Sequence, residues 1–232
     1  MLKRDLIRPA IAGGAWLMMS VLVATVSAAP VISAADRCLR PGQTSTGGLV
    51  APALTVFGEG FTPGGPVRLL RDARALDGTA DTEGAFRASV SIMDLADSGV
   101  PAVRTVTVSA EDLGAAVPGT VSNALRVRVA PLAFSVTPVR ARPSTRVLWR
   151  FSGFTPGRTI HAHYAYAGRV RVSVPMAAAG GPCGTAVVRR TQFPMPRPEV
   201  GAWRVQFDNS KRYSPRSRPR IIAGVQVYRA AG

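Results

Sequence analysis

Apolar and polar residues alternate along much of this chain with the two-residue period of a half-buried β-strand. Leu125-Arg126-Val127-Arg128-Val129 is the clearest case, an apolar residue followed by an arginine at each step. Val103-Arg104-Thr105-Val106-Thr107-Val108 is rich in β-branched residues. The same reading predicts strands at Pro52–Gly58, Pro66–Arg71, Ala85–Ile92, Val103–Ala110 and Ala124–Ala130. After Pro131 it predicts Phe134–Thr137, Thr145–Phe151, Thr159–Tyr166, Arg169–Met176, Gly184–Thr191, Ala202–Asp208 and Ile221–Tyr228. Turn signals recur about every ten residues, and no stretch holds a helical period beyond about two turns. Met93 to Gly99 is expected to form a single helical turn, and Ala29 to Gly48 a loop-like segment. The class is all-β: two tandem immunoglobulin-like sandwiches.

A repeated pentapeptide supports the duplication. Gly60-Phe61-Thr62-Pro63-Gly64 returns as Gly153-Phe154-Thr155-Pro156-Gly157, and each copy stands between two strand-like runs. Proline presets the first central position of a turn, and the glycine after it accepts a positive φ. The phenylalanine is expected to drop into the core. The pentapeptide also fits G-x-[S/T]-x-G, but a nucleophile elbow requires a helix next, and a strand pattern follows both copies. Thr185–Arg190 follows Gly184 much as Ala85–Val90 follows Gly84, so the repeat runs beyond the turn.

The first residues change the picture from a soluble pair of modules to an exported one. Lys3, Arg4 and Arg8 precede an uncharged apolar run, Ile11 to Val26, and Val26-Ser27-Ala28 supplies small residues for cleavage after Ala28. Ser33-Ala34-Ala35 is a second cleavage candidate, and an uncleaved anchor is the alternative. The organisation expected is therefore 1–28 signal peptide, 29–131 first sandwich and 132–232 second sandwich, with no transmembrane helix in the mature chain and a secreted or envelope-associated location.

Charge separates the two modules. Residues 29–131 hold nine basic and ten acidic side chains, whereas residues 132–232 hold seventeen Lys and Arg against two acids, Glu199 and Asp208. A GC-rich genome accounts for arginine over lysine. It does not account for the missing acids. The candidate anion-binding residues are Arg169, Arg171, Arg189, Arg190, Lys211, Arg212, Arg216, Arg218 and Arg220, with Arg140, Arg142 and Arg146 as a further cluster. Guanidinium groups donate paired hydrogen bonds to phosphate or carboxylate. An anionic polymer or envelope surface is the expected partner, and a protein partner is the alternative. No dedicated nucleic-acid motif is present. Lys211 to Arg220 reads as a mobile, solvated Ser/Pro loop, with Tyr213 as an exposed contact.

Chemistry is sparse. His161 and His163 share one face of a strand, while Ile160, Ala162, Tyr164 and Tyr166 take the other. His-x-His is a candidate metal pair, with Asp208, Glu199 or Cys183 as the third ligand, although histidines on a polar strand face, one bonded to Asp208, form the plainer account. Cys183, His163 and Asp208 hold the residue types of a thiol triad. Two cysteines in an exported chain more naturally form one disulfide, Cys38–Cys183, with free thiols or an intermolecular bridge as alternatives. Trp149 and Trp203 are expected in the core. No catalytic residue and no cofactor is assigned, and the expectation is a non-catalytic protein.

The sequence Gly58-x-Gly60-Phe61-Thr62-Pro63-Gly64-x-x-Val67, followed by Ala80-Asp81-x-x-Gly84-x-Phe86, resembles the Ig-like modules found in tandem in secreted and surface proteins of actinobacteria. The second half resembles the basic C-terminal partner domain of such proteins through Gly153-Phe154, His163-Tyr164, Gly181-Pro182-Cys183-Gly184, Gln206-Phe207-Asp208 and Tyr213. The resemblance implies the fold and implies no catalytic residue.

Overall fold

The computed structural model describes residues 28–72, 74–92 and 99–228, and within them every regular element is a strand. The leader segment and most of the expected helical turn at 93–99 lie outside the described residues.

The first sandwich pairs two sheets. One holds β1 (Val31–Ala34), β5 (Ala53–Glu59) and β8 (Phe86–Ser91) in the order β1-β5-β8. The other holds β2 (Cys38–Leu39), β11 (Leu125–Val129), β9 (Arg104–Asp112), β6 (Pro66–Arg71) and β7 (Arg74–Thr79) in the order β2-β11-β9-β6-β7, with β10 (Thr120–Val121) beside β9. The second sandwich repeats this layout. Its sheets are β12 (Ala133–Thr137), β13 (Arg146–Ser152) and β16 (Ala186–Thr191), ordered β12-β13-β16, and β15 (Arg169–Ala178), β14 (Thr159–Tyr166), β17 (Gly201–Asp208) and β18 (Arg220–Val227), ordered β15-β14-β17-β18. Strand for strand, β1, β5, β6, β7, β8, β9 and β11 occupy the places of β12 to β18 in turn.

Each sandwich has its own core. Leu54, Val56, Phe61, Val67, Leu69, Val106, Val108, Val127 and Val129 fill the first. Trp149, Phe151, Phe154, Ile160, Tyr164, Met176, Trp203 and Phe207 fill the second, which is the more aromatic. The alternation read from sequence explains both sets, because the inward member of each strand pair is apolar. Full burial of one such side chain is worth roughly 1.5–3 kcal/mol, so these residues dominate the stability of each module. Trp149 and Trp203 are buried, as expected.

The repeated turn does the same work in both copies. Phe61 and Phe154 are buried, and Gly64 and Gly157 have φ of 66° and 73°. The amide of Phe61 donates to the carbonyl of Gly84 (3.0 Å), and that of Phe154 to the carbonyl of Gly184 (3.2 Å). A Cβ on Gly84 or Gly184 would stand 2.3 or 1.7 Å from the carbonyl oxygen of Phe61 or Phe154. Glycine is needed there because a backbone strand end presses directly on it. Strands β6 and β14 follow the two turns, so the nucleophile-elbow reading falls.

Three expectations change. The segment 29–48 is not loop-like: β1 pairs antiparallel with β5, and β2 pairs parallel with β11. These pieces are four and two residues long, too short to show a period, and their partners lie far along the chain. β7 was not foreseen because all six of its residues are exposed and none alternates. The loop at 209–219 is fastened down rather than mobile, as set out below.

A short hairpin, β3 (Gly42–Gln43) with β4 (Leu49–Val50), leaves the first sandwich and docks on the second. Leu49 packs against the second core. The Gln43 amide donates to the carbonyl of Arg220 and accepts from its amide, both at 2.7 Å, as a ladder partner would. Arg40 donates to the carbonyl of Phe154 (3.0 Å), and Ser152 Oγ to that of Pro131 (2.6 Å). Cys38 and Cys183 form a disulfide across a sequence separation of 145, buried with Ala130 at the junction.

Candidate functional site

Two groups of residues carry whatever chemistry the chain has: a buried polar row on the second sandwich, and the arginines around it.

The row lies on the outward face of the β15-β14-β17-β18 sheet. Register places His161 opposite Asp208 and His163 opposite both Gln206 and Ser173. On such a face these side chains would ordinarily be wet. Here the segment 209–219 folds across them, and His163, Gln206 and Asp208 are buried. His163 Nε2 lies 3.1 Å from the carbonyl of Ser210 and 3.3 Å from Asp208 Oδ1. A carbonyl can only accept, so Nε2 carries the proton. In the neutral ring Nδ1 then accepts from the Ser173 hydroxyl at 2.7 Å. Gln206 donates to Asp208 Oδ2 (2.6 Å) and to the carbonyl of Ser214 (2.8 Å), and the Ser210 amide donates to Asp208 Oδ1 (2.7 Å). The Tyr213 ring meets His163 edge-on at 5.8 Å. Ser217 Oγ donates to Ser210 Oγ (3.1 Å), which closes the strap on itself.

This satisfied network corrects several expectations. The strap is held by its carbonyls to His163 and Gln206, so it is fastened to the sheet, while most of its side chains stay exposed as expected. Tyr213 is exposed, as expected, with its ring set edge-on to His163. The thiol triad fails, because Cys183 is in the disulfide. Of the third metal ligands proposed, Cys183 is bridged and Glu199 lies 3.4 Å from Arg171, leaving only Asp208 with the histidines. Among the described residues no group of three or more His, Cys, Asp or Glu is placed to hold a metal ion. The sequence placed His163 with Asp208, but Ser173 and Gln206 were missed. They carry no signal of their own, since only register and the strap bring them to the ring.

Burial works to raise the Asp208 pKa, and the hydrogen bonds from His163, Gln206 and the Ser210 amide outweigh it, holding the carboxyl below its ordinary value. Burial lowers the pKa of His161, whose Nδ1 has no hydrogen-bond partner. Burial also pushes the Tyr164 phenol up, while its hydroxyl donates to the carbonyl of Gln192 (3.0 Å).

The nine candidate arginine and lysine positions are distributed over both sheets of the second sandwich and the strap. Arg171 faces Glu199 and lies 5.9 Å from the centre of the Tyr166 ring. Arg190 donates to the carbonyl of Met176 (3.2 Å), and Arg220 to the carbonyls of Pro215 and Thr46, so both hold backbone oxygens. Arg218 lines a cavity of about 470 Å³ at the module junction together with Asp36, Arg40, Gln43 and Thr155. Arg169 on β15 and Lys211, Arg212 and Arg216 on the strap are exposed, and Arg189 stands on the other sheet.

No protein-family model and no curated protein matches the chain. Among solved structures, the human OSCAR ligand-binding domain matches at 12% identity over 85% of this chain and 97% of its own, with a TM-score of 0.30. A tetra-tandem repeat from the extending region of a large adhesion protein matches at 15% identity over 84% of this chain, with a TM-score of 0.28. This chain spans 47% of that structure, about half its length. Neither likeness carries a ligand or a partner to this chain.

Proposed function

We propose that this is an exported, non-catalytic binding protein whose arginine-rich second sandwich engages an anionic polymer of the cell envelope or its surroundings. It is read as a tandem Ig-like protein of the kind secreted by actinobacteria. One observation carries the reading. The second module holds seventeen Lys and Arg against two acids, and both acids already have partners, Asp208 buried under the strap and Glu199 in an exposed ion pair with Arg171. Its positive field is therefore almost uncompensated at the surface, and such a field attracts polyanions at a distance.

Other observations fit. A disulfide suits an oxidising compartment, and no helix among the described residues is long and apolar enough to cross a membrane. Ser173, His163 and Asp208 form a chain of hydrogen bonds, but its role is read as fastening the strap, because Ser173 stands on an edge strand and lines neither the junction cavity nor the cavity beside Phe57 and Phe86. The second reading is a rigid spacer, favoured by the disulfide and the docked hairpin.

The test is binding of the purified protein to immobilised linear polyanions over a range of salt. Affinity should fall steeply as salt rises. Absence of binding at low salt would leave the spacer reading standing.

A further inference from the structure

The sheet β12-β13-β16 turns an unusual face outward. Arg146, Leu148 and Arg150 point away from the core on β13, and Val187, Arg189 and Thr191 do so on β16. Register sets Arg189 opposite Leu148, Val187 opposite Arg150, and Thr191 opposite Arg146. Strands rise about 3.3 Å per residue and lie about 4.8 Å apart. The guanidiniums of Arg146 and Arg150 thus leave the strand about 13 Å apart, with that of Arg189 between them one strand over.

Nothing neutralises these charges. Both acids of the module are engaged elsewhere. Arg146 donates only to the carbonyl of Arg189 (3.3 Å), and the side chains of Arg150 and Arg189 have no polar partner among the described residues. Like charges set this close on one sheet face oppose folding. The matching face of the first module has no such crowd. There β5 and β8 turn out Thr55, Phe57, Glu59, Arg87 and Ser89, and its arginine lies over the Phe57 ring at 5.3 Å. The crowding therefore belongs to this module and is not a consequence of the fold.

We infer that the Arg146–Arg150–Arg189 face is the binding surface for the anionic polymer, and that the polymer lies extended along it. This rests on the function proposed above and gives that function a location the sequence did not indicate, since Arg150 was in no candidate cluster. A flat sheet encloses nothing, so it suits a chain that spans several cations rather than a small ion. Leu148 and the 65% exposed Val187 separate the guanidiniums and give an apolar floor on which water competes less for the bound anions.

The test compares two triple variants of the full protein that remove equal charge. R146Q/R150Q/R189Q empties the face, while R169Q/R212Q/R216Q removes three exposed arginines from elsewhere in the module, two of them from the strap. Binding is measured on immobilised long-chain polyphosphate and on polygalacturonate from about 50 to about 200 mM salt, and thermal melts establish that both variants are folded. The face variant should bind at least about tenfold more weakly, and its log–log salt slope should shrink by about two to three, one unit or slightly less for each lost contact. The other variant should change by no more than about twofold. Preference for polyphosphate assigns phosphate as the anion, and preference for polygalacturonate assigns carboxylate. Equal weakening in both variants, or greater weakening in the strap variant, overturns the face while leaving polyanion binding intact. If the wild type holds neither polymer, the function and the face fall together.

Discussion

The two sandwiches share a strand order but treat the same outward face in opposite ways. Arg68 and Leu70 on β6, with Ser109 and Glu111 on β9, occupy the positions of His161 and His163 on β14, with Gln206 and Asp208 on β17. In the first module that face is open. Arg68 reaches the neighbouring Asp77 at 2.8 Å, and both side chains are exposed. In the second module the strap covers the face, and every polar group on Asp208 finds a donor. Inside the two cores the roles match more closely. Arg71 donates to the carbonyl of Ser91 (2.8 Å) where Tyr164 donates to that of Gln192. Strand order thus fixes where a polar tip can sit, and the cover above it decides what that tip contributes. A hydrogen bond on a wet face exchanges with water, whereas one under a cover costs the full desolvation of its partner if broken.

Removing the bridge should break the comparison most. The double variant C38S/C183S frees a loop of 145 residues, for which the chain-entropy account gives about 5 kcal/mol. The two modules should then melt in two transitions instead of one, which calorimetry would resolve. Next in size is the glycine under each repeated turn. G184A should destabilise its module by about 3 kcal/mol, and G84A by somewhat less, since the inserted Cβ meets a carbonyl oxygen in both and more closely at Gly184. Equal shifts would show that the second turn relaxes more easily than its geometry indicates.

The covered and open faces are separated by D208N against E111Q. Asp208→Asn leaves His163 and Gln206 without their charged acceptor and should cost about 1–3 kcal/mol, while Glu111→Gln on the open face should stay within about 0.5 kcal/mol. The smallest effect is a pH slope. His161 has a lowered pKa in the folded state, so the unfolded chain takes up its proton first, and stability should decline as pH falls below about 6.5. Asp208 is also lowered, so its contribution is whole above about pH 4 and is lost on further acidification. Denaturant titrations at stepped pH should show both declines in the wild type, and D208N should lack the lower one.

Much of this fold was legible because it was written twice. The pentapeptide at Gly60 and Gly153 announced two copies, and Gly84 with Gly184 extended the match to the strand end that presses on each turn. The alternation in β11 and β13 named the inward residues directly. What escaped was short or set by contact across the chain. β1 and β2 are too brief to display a period, and β7 has no buried side to alternate with. Of the polar row, His163 with Asp208 could be proposed from residue type alone. Ser173 and Gln206 could not, because cross-strand register and the Ser210 and Ser214 carbonyls place them. Which arginines share a face was not legible either: neighbours in sequence such as Arg189 and Arg190 point to opposite sides of one strand, while Arg146, Arg150 and Arg189 share the outward face of two.

The disulfide has a mechanical consequence. A pull applied to the two ends of the described chain enters near residue 28, reaches Cys38, crosses the sulfur bridge to Cys183 and leaves through the second sandwich. The 145 residues of separation never enter the load path. At about 3.3–3.6 Å per extended residue, roughly 500 Å of slack stays locked away, including nearly all of the first module. Stretched single molecules should therefore lengthen only through the N-terminal segment and the strands after Cys183, and should yield the withheld length when a reductant is added. Beyond β1 and the start of β2, the first sandwich rides alongside the tether without bearing its tension.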